Sequence, residues 1–181
     1  MIQKKKENFA IILDFLPLGD QSKGILEPTA YAIGVDYFTL LLLITKPGIK
    51  VEVFEEVYIG EGKRDKIKSV LKRISINDLS LLAKENLEKA IIKIIEKNEL
   101  KFVEFFNKAG PLNLKVHSLE LIPGIGKNIL DRILEEREKE PFKSLSDIEN
   151  RVKGLKNIKL LLCKRIIDEL YGNEKIKLFT I

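Results

Sequence analysis

An α+β fold is predicted by three features of the sequence. The first sixty residues break into short apolar runs separated by Gly and Pro turns. Much of the chain after Gly62 instead spaces its apolar residues three and four apart. Within that part, Leu119–Leu130, LELIPGIGKNIL, joins two helical stripes through a tight glycine turn.

The strand-like runs come first. Phe9–Leu16 is apolar and stops at Pro17-Leu18-Gly19-Asp20. A loop to Pro28 leads into Thr29–Ile33, and Gly34-Val35-Asp36 connects to Tyr37–Thr45. Lys46-Pro47-Gly48 turns into Val51–Val53, and Val57–Ile59 closes the section before Gly60-Glu61-Gly62. Four or five strands at this spacing predict a small barrel or curled sheet of the OB type over residues 1–62. Tyr31, Tyr37, Phe38 and Tyr58 are its candidate exposed stacking rings. The terminal IKLFTI, within residues 173–181, reads as a last strand returning to this sheet and covering an open edge.

A helical connector is expected over 63–111. Lys63–Ile74 reads as a basic helix or helical turn, with caps at Ser75, Asn77 and Asp78. A long helix then places Ala83, Leu87, Ile91 and Ile94 on one face. Glu99–Ala109 carries Phe102, Phe105 and Phe106 and stops at Gly110-Pro111. Aromatics at helical spacing predict core in preference to a base-stacking platform.

Residues 112–172 hold the chemistry. Pro123 ends the helix bearing Leu119 and Ile122, because it lacks a donor and biases the preceding residue away from helical geometry. Gly124 suits a positive φ, and Gly126 leaves room for a ligand beside the backbone. Ile129, Leu130, Ile133 and Leu134 stripe the next helix. Free amides at its start, with the positive dipole end behind them, form an anion site. The pattern resembles the helix-hairpin-helix motif, which holds nucleic-acid backbone without reading bases. Glu140-Pro141-Phe142-Lys143-Ser144 breaks the helix, and Ser144 or Ser146 can cap a short one running to Arg151. Val152–Asn157 then repeats the hairpin, and Ile158, Leu162, Ile166 and Leu170 stripe a last helix. Gly154 matches Gly124 and Asn157 can cap the last helix, but Lys156 stands where Gly126 stood, so the second hairpin is degenerate.

Charge agrees in sign. The chain carries +5 overall, yet residues 1–60 hold six basic and eight acidic groups, so the excess lies downstream. Arg151, Lys153, Lys156, Lys159, Lys164 and Arg165 follow one another without an intervening acid. Lys63, Arg64, Lys66, Lys68, Lys72 and Arg73 form a second cluster, interrupted by Asp65. Basic runs of this kind favour an anionic partner. A single cysteine and a single histidine exclude a disulfide framework and a zinc finger of the usual kind. Cys163 is expected to be buried, and His117 to pack on the short helix before the first hairpin. No secretion signal or membrane span is read, so a soluble, cytoplasmic protein is expected.

The order of segments is similar to the archaeal family catalogued as "domain of unknown function 655". The resemblance rests on AYAIGVDYFTLLLL (Ala30–Leu43), VYIGEGKRDKI (Val57–Ile67), Arg73–Ser75, FVEFFNKA (Phe102–Ala109), ELIPGIGKNIL, and PFKSLSDIENRVKGL (Pro141–Leu155). It implies an OB-like part joined to tandem helix-hairpin-helix elements, RNA binding, and genes neighbouring those of translation and rRNA modification. It implies no established enzymatic activity.

The expected function is therefore non-catalytic nucleic-acid binding, with no cofactor or metal. Structured RNA is the favoured partner, the ribosome or its precursors included. Gly124, Ile125, Gly126, Lys127 and Asn128 hold one phosphate run on this reading. Arg151, Lys153, Gly154 and Lys156 hold the next, and Lys63, Arg64 and Lys66 extend the track. Duplex DNA is the alternative ligand, since backbone contacts are common to both. A protein-docking scaffold is the second alternative. A glycosylase reading would rest on Asp147, which a short-helix cap or first-turn acid at Ser144–Asp147 explains fully, and no helical domain for a flipped-base pocket is read. The acids Glu135, Glu136, Glu138 and Glu140 wrap around a helix instead of clustering for metal.

Overall fold

A computed structural model describes residues 4–181. The α+β chain divides into two compact units, one running to Ile91 and including Glu169–Ile181, the other Ile92–Asp168.

The first unit holds β1 (Phe9–Leu16), β2 (Thr29–Gly34), β3 (Leu40–Thr45), β4 (Glu56–Tyr58) and β5 (Ile67–Arg73). They form one antiparallel sheet in the order β4-β1-β2-β3-β5. Alternate side chains converge on one interior: Ala10 and Ile12, Ala30 and Ala32, Leu41 and Leu43, with Val57, Ile59 and Ile67 from the edges. One face gathering residues from both edge strands is what a curled half-barrel gives. The β1–β2 register shifts between Ile12 and Asp14, and such a bulge bends a strand. The bulge carbonyl at Leu13 accepts from Asn86 Nδ2 at 2.9 Å on α1 (Leu81–Lys97). Ser80 caps α1, its Oγ accepting the Ala83 N–H at 3.1 Å, and donates to Asp14 at 2.6 Å.

Four expectations for this unit need correction. Residues 67–73 form an edge strand, not a helix, so the sheet continues past residue 62. β3 is buried on both faces, Leu40–Ile44 being at most 5% exposed, and its free ladder groups require a neighbouring strand. That demand outweighs the helix propensity of the Lys and Arg residues. Val51–Val53 is not a strand either. Phe54 takes φ +69, turning the chain so that its N–H reaches the Ile12 carbonyl at 2.7 Å. Tyr31 and Phe38 are core residues at 1% and 0% exposure, not stacking rings. The Tyr31 hydroxyl donates to Asp20 and accepts from Lys23 Nζ at 2.8 Å.

The tail returns to this unit without becoming a strand. Glu169, 1% exposed, accepts the backbone N–H groups of Leu178, Phe179 and Thr180 at 2.6, 3.1 and 3.0 Å, and the Thr180 hydroxyl at 2.9 Å. A carboxylate taking three successive amides fixes a turn in which those amides cannot enter a ladder. Phe179 is buried, and Arg73 Nη2 donates to the Ile181 carbonyl at 3.1 Å.

The second unit contains the end of α1, α2 (Glu99–Lys108), a 3-10 turn at Ser118–Leu121, α3 (Lys127–Lys139), α4 (Leu145–Arg151) and most of α5 (Ile158–Leu170). Its core takes Phe102 and Phe106 from α2, Ile133 from α3, Ile148 from α4, and Leu162, Cys163 and Ile166 from α5. Polar clamps join the helices. Asn107 exchanges two hydrogen bonds with the Phe142 backbone, and Arg137 donates to the carbonyls of Phe106 and Ala109. Glu99 accepts the Leu145 N–H at 3.0 Å.

Candidate nucleic-acid interface

Two turns in the second unit share one construction. At the first, the Ile125 N–H reaches the Ile122 carbonyl at 3.1 Å and Gly124 has φ +89. At the second, the Leu155 N–H reaches the Val152 carbonyl at 3.2 Å and Gly154 has φ +91. Both are hydrogen-bonded turns with a positive φ at the third residue, the position where only Gly is free of strain. Pro123 occupies the second residue of the first turn, which its fixed φ favours. The turns pack reciprocally. A Cβ on Gly124 would come within 3.2 Å of Leu161 on α5, and one on Gly154 within 3.3 Å of Arg132 on α3. Arg132 Nη1 also donates to the Lys153 carbonyl at 2.7 Å.

Beyond the glycine the turns diverge. Gly126 is the N-cap of α3, its carbonyl accepting the Leu130 N–H at 2.9 Å. A Cβ there would meet nothing within 4 Å. Gly126, Lys127 and Asn128 are exposed, and no group among the described residues takes their N–H bonds. In the second turn the equivalent carbonyl belongs to Asn157, which accepts from Leu161 at 3.1 Å and has φ +55. This turn is one residue longer, so Lys156 does not replace Gly126 at the cap; Asn157 does. The first amide of α5, on Ile158, is taken by Glu149 Oε1 at 2.8 Å.

The sequence-selected residues separate accordingly. Gly124 and Ile125 set the first turn, Ile125 being 4% exposed and so a core anchor in place of a ligand contact. Lys127, Lys153, Lys156 and Lys164 are exposed, with no ion pair among the described residues. Arg151 is an internal tie. Its guanidinium donates to the carbonyls of Glu136 and Glu140 at 2.5 and 2.8 Å and to Asp147 at 3.2 Å, and it lies 4.6 Å from the Phe142 ring centroid. A planar cation at the end of α3 satisfies carbonyls the helix leaves open. Arg165, 3% exposed, donates to the Leu121 carbonyl at 3.2 Å, and Lys159 pairs with Glu96 at 3.3 Å. Lys63, Arg64 and Lys66 belong to the other unit. Lys63 is exposed, Arg64 Nε donates to the Gly60 carbonyl at 2.8 Å, and Lys66 pairs with Glu55.

The titratable groups beside the turns are accounted for by packing. Asp147 accepts the Lys143 N–H at 3.0 Å, and that bond, with Arg151 beside it, holds its carboxyl below the usual range. The Ser144 hydroxyl accepts the Asp147 N–H at 2.9 Å, as a helix cap does. His117 caps the 3-10 turn through Nδ1, which accepts the Leu119 N–H at 3.1 Å. Burial first and the Arg137 charge second hold His117 below its ordinary value, keeping that nitrogen an acceptor. Among the described residues no three His, Cys, Asp or Glu side chains gather to hold a metal ion, and no helix is long and apolar enough to cross a membrane.

Sequence reasoning missed Glu149 and Arg132. An acid nine residues before a helix start carries no recognised capping signal, and Arg132 looks like any solvated helix cation.

A chain of two such units defines the class: a curled antiparallel sheet joined to a helical unit with paired glycine turns. The chain belongs to the family described as "Protein of unknown function (DUF655)", whose model matches residues 6–181. It is 39% identical over 97% of its length to the uncharacterized protein MJ0038 of Methanocaldococcus jannaschii, covering 80% of that protein. The crystal structure of Af1531 from Archaeoglobus fulgidus, a member of the same family, superposes with a TM-score of 0.90 at 39% identity, over 97% of this chain and all of that one. A PolC-type DNA polymerase III of Lacticaseibacillus paracasei is 23% identical over 79% of this chain, which spans 11% of the polymerase.

Proposed function

We propose that this protein is a non-catalytic nucleic-acid-binding protein that grips phosphate backbone through paired helix-hairpin-helix turns. One observation carries the reading: Gly126, Lys127 and Asn128 offer three amides with no internal partner at the start of a thirteen-residue helix, beside open space and an exposed lysine. Amides and dipole together favour an anion, and a side chain at Gly126 would fill the approach. Lys153 and Lys156 on the second turn supply a neighbouring side-chain contact. Structured RNA is the favoured ligand, following the RNA-binding character that the family resemblance implies. DNA is the second reading, favoured by the weak likeness to a DNA polymerase.

The test is binding to labelled RNA and DNA duplexes by fluorescence anisotropy across a salt series. With about four phosphates neutralised, log K falls against log salt with a slope of roughly −3 to −4. Lys127→Glu combined with Lys153→Glu removes most of the affinity while the melting temperature holds. A flat salt response, or a double variant that binds normally, overturns the reading. The ratio of RNA to DNA affinity at one salt concentration decides between the two ligands.

A further inference from the structure

His117 caps the 3-10 turn Ser118–Leu121, which runs directly into the first glycine turn. It is 8% exposed and is the only histidine of the chain. Three hydrogen bonds join it in series to the glycine turn. Its Nδ1 accepts the Leu119 N–H at 3.1 Å. The Leu119 carbonyl accepts the Ile122 N–H at 3.2 Å, and the Ile122 carbonyl accepts the Ile125 N–H at 3.1 Å. Gly126, the first open amide, is the next residue. Leu119 and Ile122 are fully buried, so the series runs through a packed element, which passes a change at one end on to the other.

The surroundings of the ring suit its neutral form alone. A protonated imidazole carries donors on both nitrogens and no acceptor, so Nδ1 and the Leu119 N–H would meet donor to donor. The ring also faces the Ala109 carbonyl just past α2, to which Arg137 Nη1 donates at 2.7 Å from α3. A proton would therefore place a second cation beside the guanidinium. Glu120, in the same turn, pulls the other way, but its carboxylate already accepts the His117 backbone N–H at 2.8 Å. Pro111, which bridges to His117, brings no charge. Burial first and Arg137 second hold the ring below its ordinary value of 6.5. The unfolded chain thus takes the proton first. The stability given by the neutral ring is whole above about pH 6.5 and is lost as pH falls through that value to the folded one.

We infer that His117 is a pH-sensitive positioning residue. Its neutral ring holds the first turn in the form that presents the Gly126, Lys127 and Asn128 amides, and its protonated ring releases the turn and weakens the grip on phosphate. This role rests on the phosphate-binding reading of the first turn and regulates that same site. Its sign is opposite to that of ordinary charge effects. Lysines keep their charge across this range, and carboxylates that take up protons on acidification strengthen attraction to a polyanion. A bound phosphate would itself favour the protonated ring. Yet Arg137, beside the ring, lies ten residues beyond Lys127 on α3, about 15 Å away. That exceeds the ~10 Å over which charges act in about 0.1 M salt.

The test uses the labelled duplex, RNA or DNA, that the full chain binds more tightly at about pH 7.5. Its affinity is followed by anisotropy at fixed salt down to about pH 5. The affinity falls about two- to fivefold, at the low end of couplings between two sites. His117→Asn supplies a side-chain cap that takes no proton, and its affinity does not fall. By reciprocity the duplex acts on the ring too. The NMR signals of this single histidine titrate at lower pH in the complex than in the free protein. That measurement uses the unmodified chain and decides the matter if His117→Asn folds poorly. Three results overturn the switch while leaving the phosphate reading intact: binding that holds or rises on acidification, a His117→Asn protein that weakens as the wild type does, or a ring that titrates at the same or higher pH in the complex. Absence of duplex binding at about pH 7.5 overturns both.

Discussion

The turn at Ile122–Asn128 and the turn at Val152–Ile158 begin alike and end differently. Each uses a glycine at φ near +90 and a three-residue hydrogen bond, and each packs its glycine against the helix that follows the other. The first then passes through an uncrowded Gly126 into a helix whose opening amides have no internal partner. The second adds one residue, bends through Asn157 at φ +55, and closes its helix start with the Glu149 carboxylate. The two turns therefore share what the fold needs, the reciprocal glycine contacts, while the helix start is open at one turn and shut at the other. The second turn can contribute cationic side chains, Lys153 and Lys156, but a carboxylate already fills the position an external anion would take.

The largest expected effect separates the two glycines of the first turn. Gly124→Val places a β-branched residue at φ +89 and a Cβ 3.2 Å from Leu161, which costs about 2–3 kcal/mol. Gly126→Val sits at φ −87 in open space and costs under about 1 kcal/mol, chiefly through a poorer cap. Its methyls stand where a phosphate would, so duplex affinity drops about tenfold, the worth of one charge-assisted contact. Thermal melts and anisotropy on both variants check this. A Gly126→Val protein that melts early but binds normally would show that the open space is structural.

A smaller effect probes the closed turn. Glu149→Ala frees the Ile158 amide and removes a negative charge, at a stability cost of about 1–2 kcal/mol. Duplex affinity rises about threefold through the restored helix end. Glu149→Gln keeps an acceptor and loses the charge alone, so it stabilises more than Ala does and gains less affinity. If neither variant changes binding, the second turn lies outside the interface, and the contrast between the turns carries no functional weight.

How much of this was legible follows from which forces act locally. Strand β1, the buried faces of α1 and α2, and the bounds of α3, α4 and α5 are written in apolar period, caps and Pro-Gly punctuation. Gly124 and Gly154 are readable for the same reason, since a positive φ has few sequence solutions. Strand β5 was hidden because its reason lies elsewhere: β3 needs a partner, and Ile67–Arg73 supplies one despite its lysines. The tail was misread as a strand because Glu169, invisible as a nest for amides, captures the N–H groups a ladder would use. Arg151 looked like a phosphate ligand because charge runs along the chain do not reveal which cations face carbonyls. At the second turn Asn157 is legible as a cap by its residue type, while counting from Gly154 alone reaches Lys156; the hydrogen bond into Asn157 shows that the turn carries one inserted residue before that cap.

That insertion gives the smallest and most discriminating expectation. Asn157 occupies a left-handed conformation that Asn tolerates better than other side-chain-bearing residues and Gly adopts freely. Asn157→Gly relieves that strain but adds disorder to the unfolded chain, so the two terms offset and stability moves by less than about 0.5 kcal/mol. Asn157→Ala has no such compensation and loses about 1 kcal/mol. Asn157→Gly also gives the second turn the capping glycine of the first. If a capping glycine were what opens the helix end to an anion, this variant alone would raise duplex affinity. If the Glu149 carboxylate is what closes it, Asn157→Gly binds within about twofold of the wild type, and the gain appears only when Glu149→Ala is added. Affinities of the two single variants and the double variant form a cycle that assigns the closure to one residue or the other.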